Sequence, residues 1–149
     1  MDAEFIYVTL REGIRHYVVE TWGEWDEAWQ RESFESGFDA TTHQVVAQDG
    51  RDVAFLATRE DASAIWLDRI YVAATHRSQG LGSALLRDLL ARAAERDLPL
   101  RLRVLRVNRA RALYARLGFA QTGESATHYE MEARPNPRSM SPAGDRSRA

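Results

Sequence analysis

Residues 77–82, with the sequence RSQGLG, constrain the fold most strongly because they join two segments of different period. Before them, residues 64–72 form an apolar, β-branched and aromatic run that predicts a strand; after them, leucines recur at helical spacing to about Glu95. A strand-to-helix joint leaves the N–H groups of the first helical turn unpaired, and glycines let the backbone approach a ligand closely. The joint is therefore predicted to bind an anion, and Arg77 adds a positive charge there.

The segments before this joint predict a sheet and one or two helices. Residues 4–10 are rich in β-branched and aromatic side chains and predict a first strand. Apolar residues then recur every three or four positions through 14–29, which indicates one helix, or two helices broken near Gly23. Strand-like runs at 43–47 and 51–58 flank Asp49-Gly50 and predict a hairpin, with 64–72 as a third antiparallel strand.

The segments after the joint alternate in the same way. Residues 100–105 alternate with period two and predict a strand. Asn108 is a suitable N-cap for a helix over 109–117, which Gly118 would end, and 127–132 predict a last strand. The pattern predicts one α+β domain over residues 1–133, followed by a disordered tail at 134–149, where Pro, Ser, Arg and Gly predominate.

Composition excludes several classes of function. The chain has no cysteine, and its four histidines are scattered, so we expect no disulfide, thiolate nucleophile or bound metal. No apolar run approaches the roughly 20 residues of a membrane span, and the acidic start is unlike a secretory signal. No basic run is dense enough to indicate nucleic-acid binding. We therefore expect a cytoplasmic protein that acts away from membranes and nucleic acids.

Charge is distributed unevenly along the chain. Residues 1–68 carry 5 Arg against 15 Asp and Glu, whereas residues 69–133 carry 11 Arg against 6 acids. The acidic part could attract an amine and the basic part an anion, or both could be ordinary solvated surface. The three tryptophans between residues 22 and 29 likewise indicate either core or the wall of a substrate pocket.

Several kinds of anion-binding loop fit residues 77–82 to different degrees. A Walker loop requires a lysine, which the chain lacks, and a Rossmann fingerprint requires Gly or Ala where Leu85 stands. A loop that binds no ligand is a further alternative. A second motif decides among them: Asn108 leads into residues 112–119, with the sequence ALYARLGF.

The loop R-x-x-G-x-G at 77–82 and this second motif together resemble the GNAT superfamily of N-acetyltransferases, in particular its small, bacterial-type single-domain members. In that family the loop binds the pyrophosphate of acetyl-CoA. The resemblance covers the element order of residues 4–133, while its motifs lie within 64–119. It implies an α+β fold, classed as three-layer α/β in some schemes. The mixed, mostly antiparallel sheet would have six or seven strands, splayed near residues 70–72, with about four helices on its two faces.

The resemblance also implies roles for individual residues. Tyr114 matches the general acid that protonates coenzyme A. The backbone of residues 70–72 would pair with the pantetheine arm, and the Val72 N–H would hold the thioester oxygen. Gln79 stands where many members have Lys or Arg. The residues implied to contact acetyl-CoA are Ile70, Tyr71, Val72, Arg77, Ser78, Gln79, Gly80, Leu81, Gly82, Ser83, Asn108, Ala112 and Leu113.

The acceptor side departs from the family pattern. Members often carry a glutamate as general base where this chain has Tyr71, so the base stays open among Glu24, Asp68, His128 and water. Trp22, Trp25 and Tyr71 are predicted to line the substrate pocket.

The resemblance implies an acetyl-CoA-dependent transferase, monomeric or homodimeric, that needs no metal and modifies a primary amine by direct attack. A protein N-terminus, a lysine, a polyamine, an aminoglycoside and an amino acid all remain candidate acceptors. The alternative is an acyl-CoA-binding module without turnover, such as a sensor or a degenerate acetyltransferase.

Overall fold

The computed structural model describes residues 3–135, which form four α-helices, six strands and two short 3-10 turns. Of the predicted tail, residues 136–149 lie outside the described residues. The elements are α1 (Ala3–Trp22), α2 (Glu27–Gly37), β1 (His43–Gln48), β2 (Arg51–Glu60), β3 (Ile65–Val72), α3 (Leu81–Glu95), β4 (Leu100–Leu105), α4 (Ala110–Arg116), β5 (Ala120–Glu124) and β6 (His128–Ala133).

The strands form one mixed sheet in the order β1-β2-β3-β4-β6-β5. β3 and β4 are parallel, with Ile65 opposite Leu100 and Leu67 opposite Leu102. The pairs β1–β2, β4–β6 and β5–β6 are antiparallel. The α+β class and the mostly antiparallel sheet are thus confirmed, with six strands.

The chain divides into two compact units. The first holds the described residues up to Thr58 together with Asp68–Gly82, and the second holds Arg59–Leu67 and the described residues from Ser83 onward. β3 therefore contributes its beginning to the second unit and its end to the first.

The predicted first strand at residues 4–10 is wrong, because this segment is the start of α1. Ile6 and Tyr7 are buried in a cluster with Phe34 and Phe55. Strand preference mostly measures how well a side chain fits a packed surface, and here a helix face supplies that surface. The helical spacing already begins at Tyr7, since positions 7, 10, 14 and 18 follow one another at intervals of three or four.

Of the two alternatives predicted for residues 14–29, the structure shows two helices broken near Gly23. α1 ends at Trp22, and Gly23 has φ 95°, a left-handed conformation that suits glycine. Asp26 then caps α2 by accepting a hydrogen bond from the Trp29 N–H at 3.1 Å.

The hairpin is also confirmed. Gln48 pairs with Arg51, and the two turn residues Asp49 and Gly50 have φ 53° and 78°, as a two-residue turn of this kind requires. β2 then runs through a fully buried stretch from Val53 to Ala57 in the first unit.

In the second unit, α3 and the strands bury their apolar faces. Leu86, Leu89 and Ala93 of α3 are buried, and so are alternate residues of β4. Leu102 lies opposite both Leu67 of β3 and Met131 of β6, and all three are buried. The helix over 81–95 and the strand over 100–105 are confirmed as predicted. No helix within residues 3–135 combines the length and apolar composition needed to cross a bilayer.

Candidate active site

The glycine loop connects β3 to α3. After Val72, the Ala73 N–H donates to the Val53 carbonyl at 2.8 Å, and a 3-10 turn over Ala74–His76 follows. The Arg77 Nε donates to the Val72 carbonyl at 3.1 Å, so the guanidinium is held at the end of β3. Ser78 turns into the left-handed region with φ 67°. The loop therefore places exposed backbone and one arginine at the start of α3.

Gly80 and Gly82 serve different purposes in this loop. Gly80 has φ 82°, which disfavours any side chain although the space around it is open. Gly82 lies in the first turn of α3, and a Cβ added there would be 3.8 Å from Val72 Cγ2, an ordinary contact. Protein packing thus does not demand glycine at 82. The missing side chain instead leaves the first-turn N–H groups accessible to a ligand.

The second motif forms α4 and its two ends. The Asn108 Oδ1 accepts a hydrogen bond from the Ala110 N–H at 2.8 Å, so Asn108 supplies the expected cap interaction. The helix itself begins at Ala110, with Arg109 in the cap position, one residue later than predicted.

The C-terminal end of α4 fixes Tyr114. The Phe119 N–H donates to the Tyr114 carbonyl at 3.0 Å, the Gly118 N–H donates to the Ala115 carbonyl at 3.1 Å, and Gly118 has φ 101°. This is the Schellman arrangement, and its usual apolar contact is present because the rings of Tyr114 and Phe119 lie 5.6 Å apart. Only 8% of Tyr114 is exposed. The Leu-Gly-Phe sequence therefore acts as a helix stop that orients a buried tyrosine.

A cavity of about 300 Å³ lies within the first unit. Its walls are mostly aromatic and aliphatic, with one acid and one arginine. It brings together Trp25, Tyr71 and Asp68 of the predicted pocket and base residues, whereas Trp22 and Glu24 are not among its lining residues. The lining comprises Tyr7, Leu10, Ile14, Val18, Trp25, Trp29, Gln30, Ser33, Phe34, Asp68, Arg69 and Tyr71.

A family model described as an acetyltransferase (GNAT) domain matches residues 39–121, more than half of the chain. The chain belongs to the GNAT acetyltransferases. A search of curated protein sequences gave no significant match.

Solved structures share the fold of this GNAT acetyltransferase. PaiA N-acetyltransferase from Thermoplasma acidophilum, in complex with coenzyme A, is 21% identical, with a TM-score of 0.64 over 90% of this chain and 95% of its own. The Escherichia coli ribosomal-protein-S18-alanine N-acetyltransferase is 26% identical, with a TM-score of 0.58; the match covers 74% of this chain and 77% of its own. An Elizabethkingia anophelis GNAT acetyltransferase with acetyl-CoA bound is 16% identical, with a TM-score of 0.58; the match covers 70% of this chain and 82% of its own.

Tyr71, where the family resemblance implies a glutamate base, cannot take that role. Burial raises the pKa of Tyr71 to about 12, and the nearby Arg69 only partly opposes the shift. Near neutral pH the phenol keeps its proton and cannot accept another. Gly13 of α1 lies against this ring, since a Cβ at Gly13 would be 2.6 Å from Tyr71 Cδ1.

His128, another candidate base, lies on β6 in the second unit. Its backbone N–H donates to Ser125 Oγ at 3.1 Å, and its Nδ1 lies 2.8 Å from Thr127 Oγ1. Burial, and then the charge of Arg103, lowers the pKa of the His128 imidazole. The ring is therefore neutral at neutral pH, with one nitrogen next to a hydroxyl.

Glu27 is a residue whose role sequence reasoning missed. In the sequence it is one of the 15 acids of residues 1–68, the part that could attract an amine. In the structure its carboxylate accepts hydrogen bonds from Trp25 Nε1 at 2.8 Å and Tyr7 OH at 3.0 Å, and Arg11 Nη1 lies 3.1 Å away. The bond from Trp25 is the main cause of the lowered pKa of Glu27. Glu27 thus holds two aromatic walls of the cavity.

Arg69 was also missed, because no local motif marks it. It precedes Ile70 on β3 and lines the cavity with Asp68 and Tyr71. The described part of the chain contains no group of three or more His, Asp or Glu side chains placed to hold a metal ion.

Proposed function

We propose that this GNAT acetyltransferase transfers the acetyl group of acetyl-CoA directly to a primary amine. The observation that carries the proposal is the 77–82 loop, which combines left-handed backbone at Ser78 and Gly80, a glycine at 82 in the first helical turn and an arginine. Such a helix start stabilises phosphate groups. Two structural neighbours with coenzyme A or acetyl-CoA bound support the assignment by resemblance.

On the acetyl-CoA side, the first-turn N–H groups of α3 and Arg77 would hold the pyrophosphate. The backbone of residues 70–72 would pair with the pantetheine arm, and the Val72 N–H would donate to the thioester oxygen as its charge develops. Asn108 would bind the pantetheine as well as the Ala110 N–H. These roles come from the family resemblance.

The reaction needs a proton for the leaving group. The amine nitrogen attacks the thioester carbonyl carbon, the C–S bond breaks, and the thiolate takes a proton. Tyr114 is the proposed donor, because the helix stop at Gly118 keeps its ring in one orientation against Phe119.

The reaction also needs a group that removes a proton from the amine. We propose Asp68 for this role, because it lines the same cavity as Trp25 and Tyr71, the residues predicted to contact the acceptor. Neither Glu24 nor His128 is among the residues of that cavity. A carboxylate there also attracts the protonated amine before it reacts.

Thiol release from acetyl-CoA tests the proposal when the full chain is assayed against a panel of amines. The panel includes amino acids, polyamines, an aminoglycoside and a peptide with a free N-terminus. Release with at least one of these amines, matched by mass-spectrometric detection of its N-acetyl product, supports the transferase. Tight calorimetric binding of acetyl-CoA with no product from any amine contradicts it and supports the non-catalytic module.

A further inference from the structure

Arg69 has an unusual environment for a charged group. Its Nη1 lies 3.2 Å from His43 Nε2, and its guanidinium stacks over the Phe34 ring at 5.3 Å. The neighbouring Asp68 acts on it as a nearby negative charge, which opposes the effect of burial on its pKa. Burial lowers the pKa of Arg69, which reflects the cost of removing the guanidinium from water.

His43 holds Arg69 without neutralising it. A guanidinium only donates hydrogen bonds, so the His43 Nε2 must accept, which places the ring proton on Nδ1. That Nδ1 lies 2.9 Å from the Asp39 carbonyl, where it can donate. The His43 ring is packed between Phe38 and Phe55, at 4.7 and 6.0 Å. The partner of Arg69 is therefore a neutral, fixed imidazole, and the positive charge remains available at the cavity.

The cavity pairs this cation with one acid. Asp68 and Arg69 are its charged lining residues, and the remainder is largely aromatic and aliphatic. An acceptor with amines alone, such as a polyamine, would bring further positive charge towards Arg69. An acceptor with a carboxylate as well as an amine would bring its carboxylate to Arg69 and its amine towards Asp68, since Arg binds carboxylates in a two-pronged geometry. A volume of about 300 Å³ suits one small molecule.

We propose that the acceptor is a free amino acid with an apolar side chain. Its carboxylate binds Arg69, its amine lies at Asp68 and its side chain packs on Trp25 and Phe34. This inference rests on the proposed acetyl transfer and names its substrate class. A peptide N-terminus lacks the carboxylate next to the amine and is the competing occupant.

Three compounds that differ only at the carboxylate test the proposal: L-phenylalanine, L-phenylalaninamide and phenethylamine. For the unmodified chain we expect kcat/KM to be about tenfold or more higher for L-phenylalanine than for the other two, as loss of a charge-assisted hydrogen bond predicts. In the Arg69→Gln variant this ratio should fall to about one, whereas acetyl-CoA affinity should stay unchanged. Arg51→Gln, an exposed arginine at the start of β2, is the matched control and should keep the full ratio.

A binding measurement separates failure of this inference from failure of the proposed function. Trp25 and Trp29 line the cavity, so an occupant should change the tryptophan fluorescence even without turnover. Carboxylate-dependent binding that Arg69→Gln abolishes supports the inference even if no amine is acetylated. Equal binding and equal turnover of the three compounds, no binding of any of them, or a preference for the peptide Phe-Gly over L-phenylalanine would overturn it.

Discussion

The cavity of the first unit and the C-terminal end of α4 in the second unit are assembled in opposite ways. Tyr114 is oriented by neighbours in sequence, since Gly118 and Phe119 close its helix and pack on its ring. The cavity draws its walls from α1, α2 and β3, and residues as distant as Tyr7 and Tyr71 line it together. A local site of this kind tolerates change elsewhere in the chain, whereas the cavity depends on how three elements pack.

The largest effect on activity should come from substitution of Tyr114, which neighbours in sequence orient. Replacing Tyr114 by Phe keeps the ring contact with Phe119 but removes the proposed proton donor, so we expect kcat to fall about 100-fold. Acetyl-CoA affinity and the unfolding midpoint should change little. Steady-state rates, calorimetry and thermal unfolding of the same preparation provide the measurement. Full-rate acetylation by Tyr114→Phe would show that the acid assignment is wrong.

Substitutions in the glycine loop should have the next largest effect, on the affinity for acetyl-CoA. Gly82→Trp places a large ring over the first turn of α3, where the pyrophosphate is proposed to bind, so the Kd for acetyl-CoA should rise at least about tenfold. Arg87→Trp adds the same indole at an exposed position of the same helix and serves as the control. If calorimetry gives equal affinities for the two variants, the loop does not bind the cofactor.

Substitutions in the cavity should reduce activity less than substitutions in the glycine loop, because several side chains contribute to the acceptor site. Asp68→Asn keeps the shape of the side chain and removes its charge, so we expect kcat/KM for the amine to fall about tenfold or more. Glu24→Gln is the matched control. A larger loss in Glu24→Gln than in Asp68→Asn would assign the base to the connection between α1 and α2 instead.

The smallest effect, measured as stability, should come from Gly13→Ala. The added Cβ would meet the Tyr71 ring at 2.6 Å, and overpacking of this kind costs about 1–3 kcal/mol. Gly37→Ala, at the end of α2, meets nothing within 4 Å and should be neutral or slightly stabilising. Urea unfolding of both variants measures the difference. Equal midpoints would mean that α1 adjusts freely against Tyr71.

The same contrast explains what could be predicted from the sequence. Period and turn chemistry identified the hairpin at Asp49-Gly50, the helix after the glycine loop and the stop at Gly118, because each depends on a few adjacent residues. Residues 4–10 were misassigned because their β-branched and aromatic side chains pack as a helix face against Phe34 and Phe55, partners too distant in sequence to be recognised.

The acceptor side shows the same limit. The sequence predicts functional roles for Trp25, Tyr71 and Asp68, and these residues do share a cavity. It also predicts a place in the pocket for Trp22, which is 54% exposed and is not among the cavity residues. Arg69, His43 and Glu27 carry no motif, since their importance arises from burial and from hydrogen bonds across 20 or more residues, as between Tyr7 and Glu27. Only the folded chain brings these groups together.

The most direct test of the account compares Michaelis constants for both substrates in two variants. Arg77→Ala should raise KM for acetyl-CoA about tenfold and leave KM for the amine unchanged, since it removes a charge from the loop alone. Trp25→Leu should raise KM for the amine and leave KM for acetyl-CoA unchanged, because it removes an aromatic wall of the cavity. If Trp25→Leu raises KM for acetyl-CoA and leaves KM for the amine unchanged, the cavity is not the acceptor site and the account is contradicted.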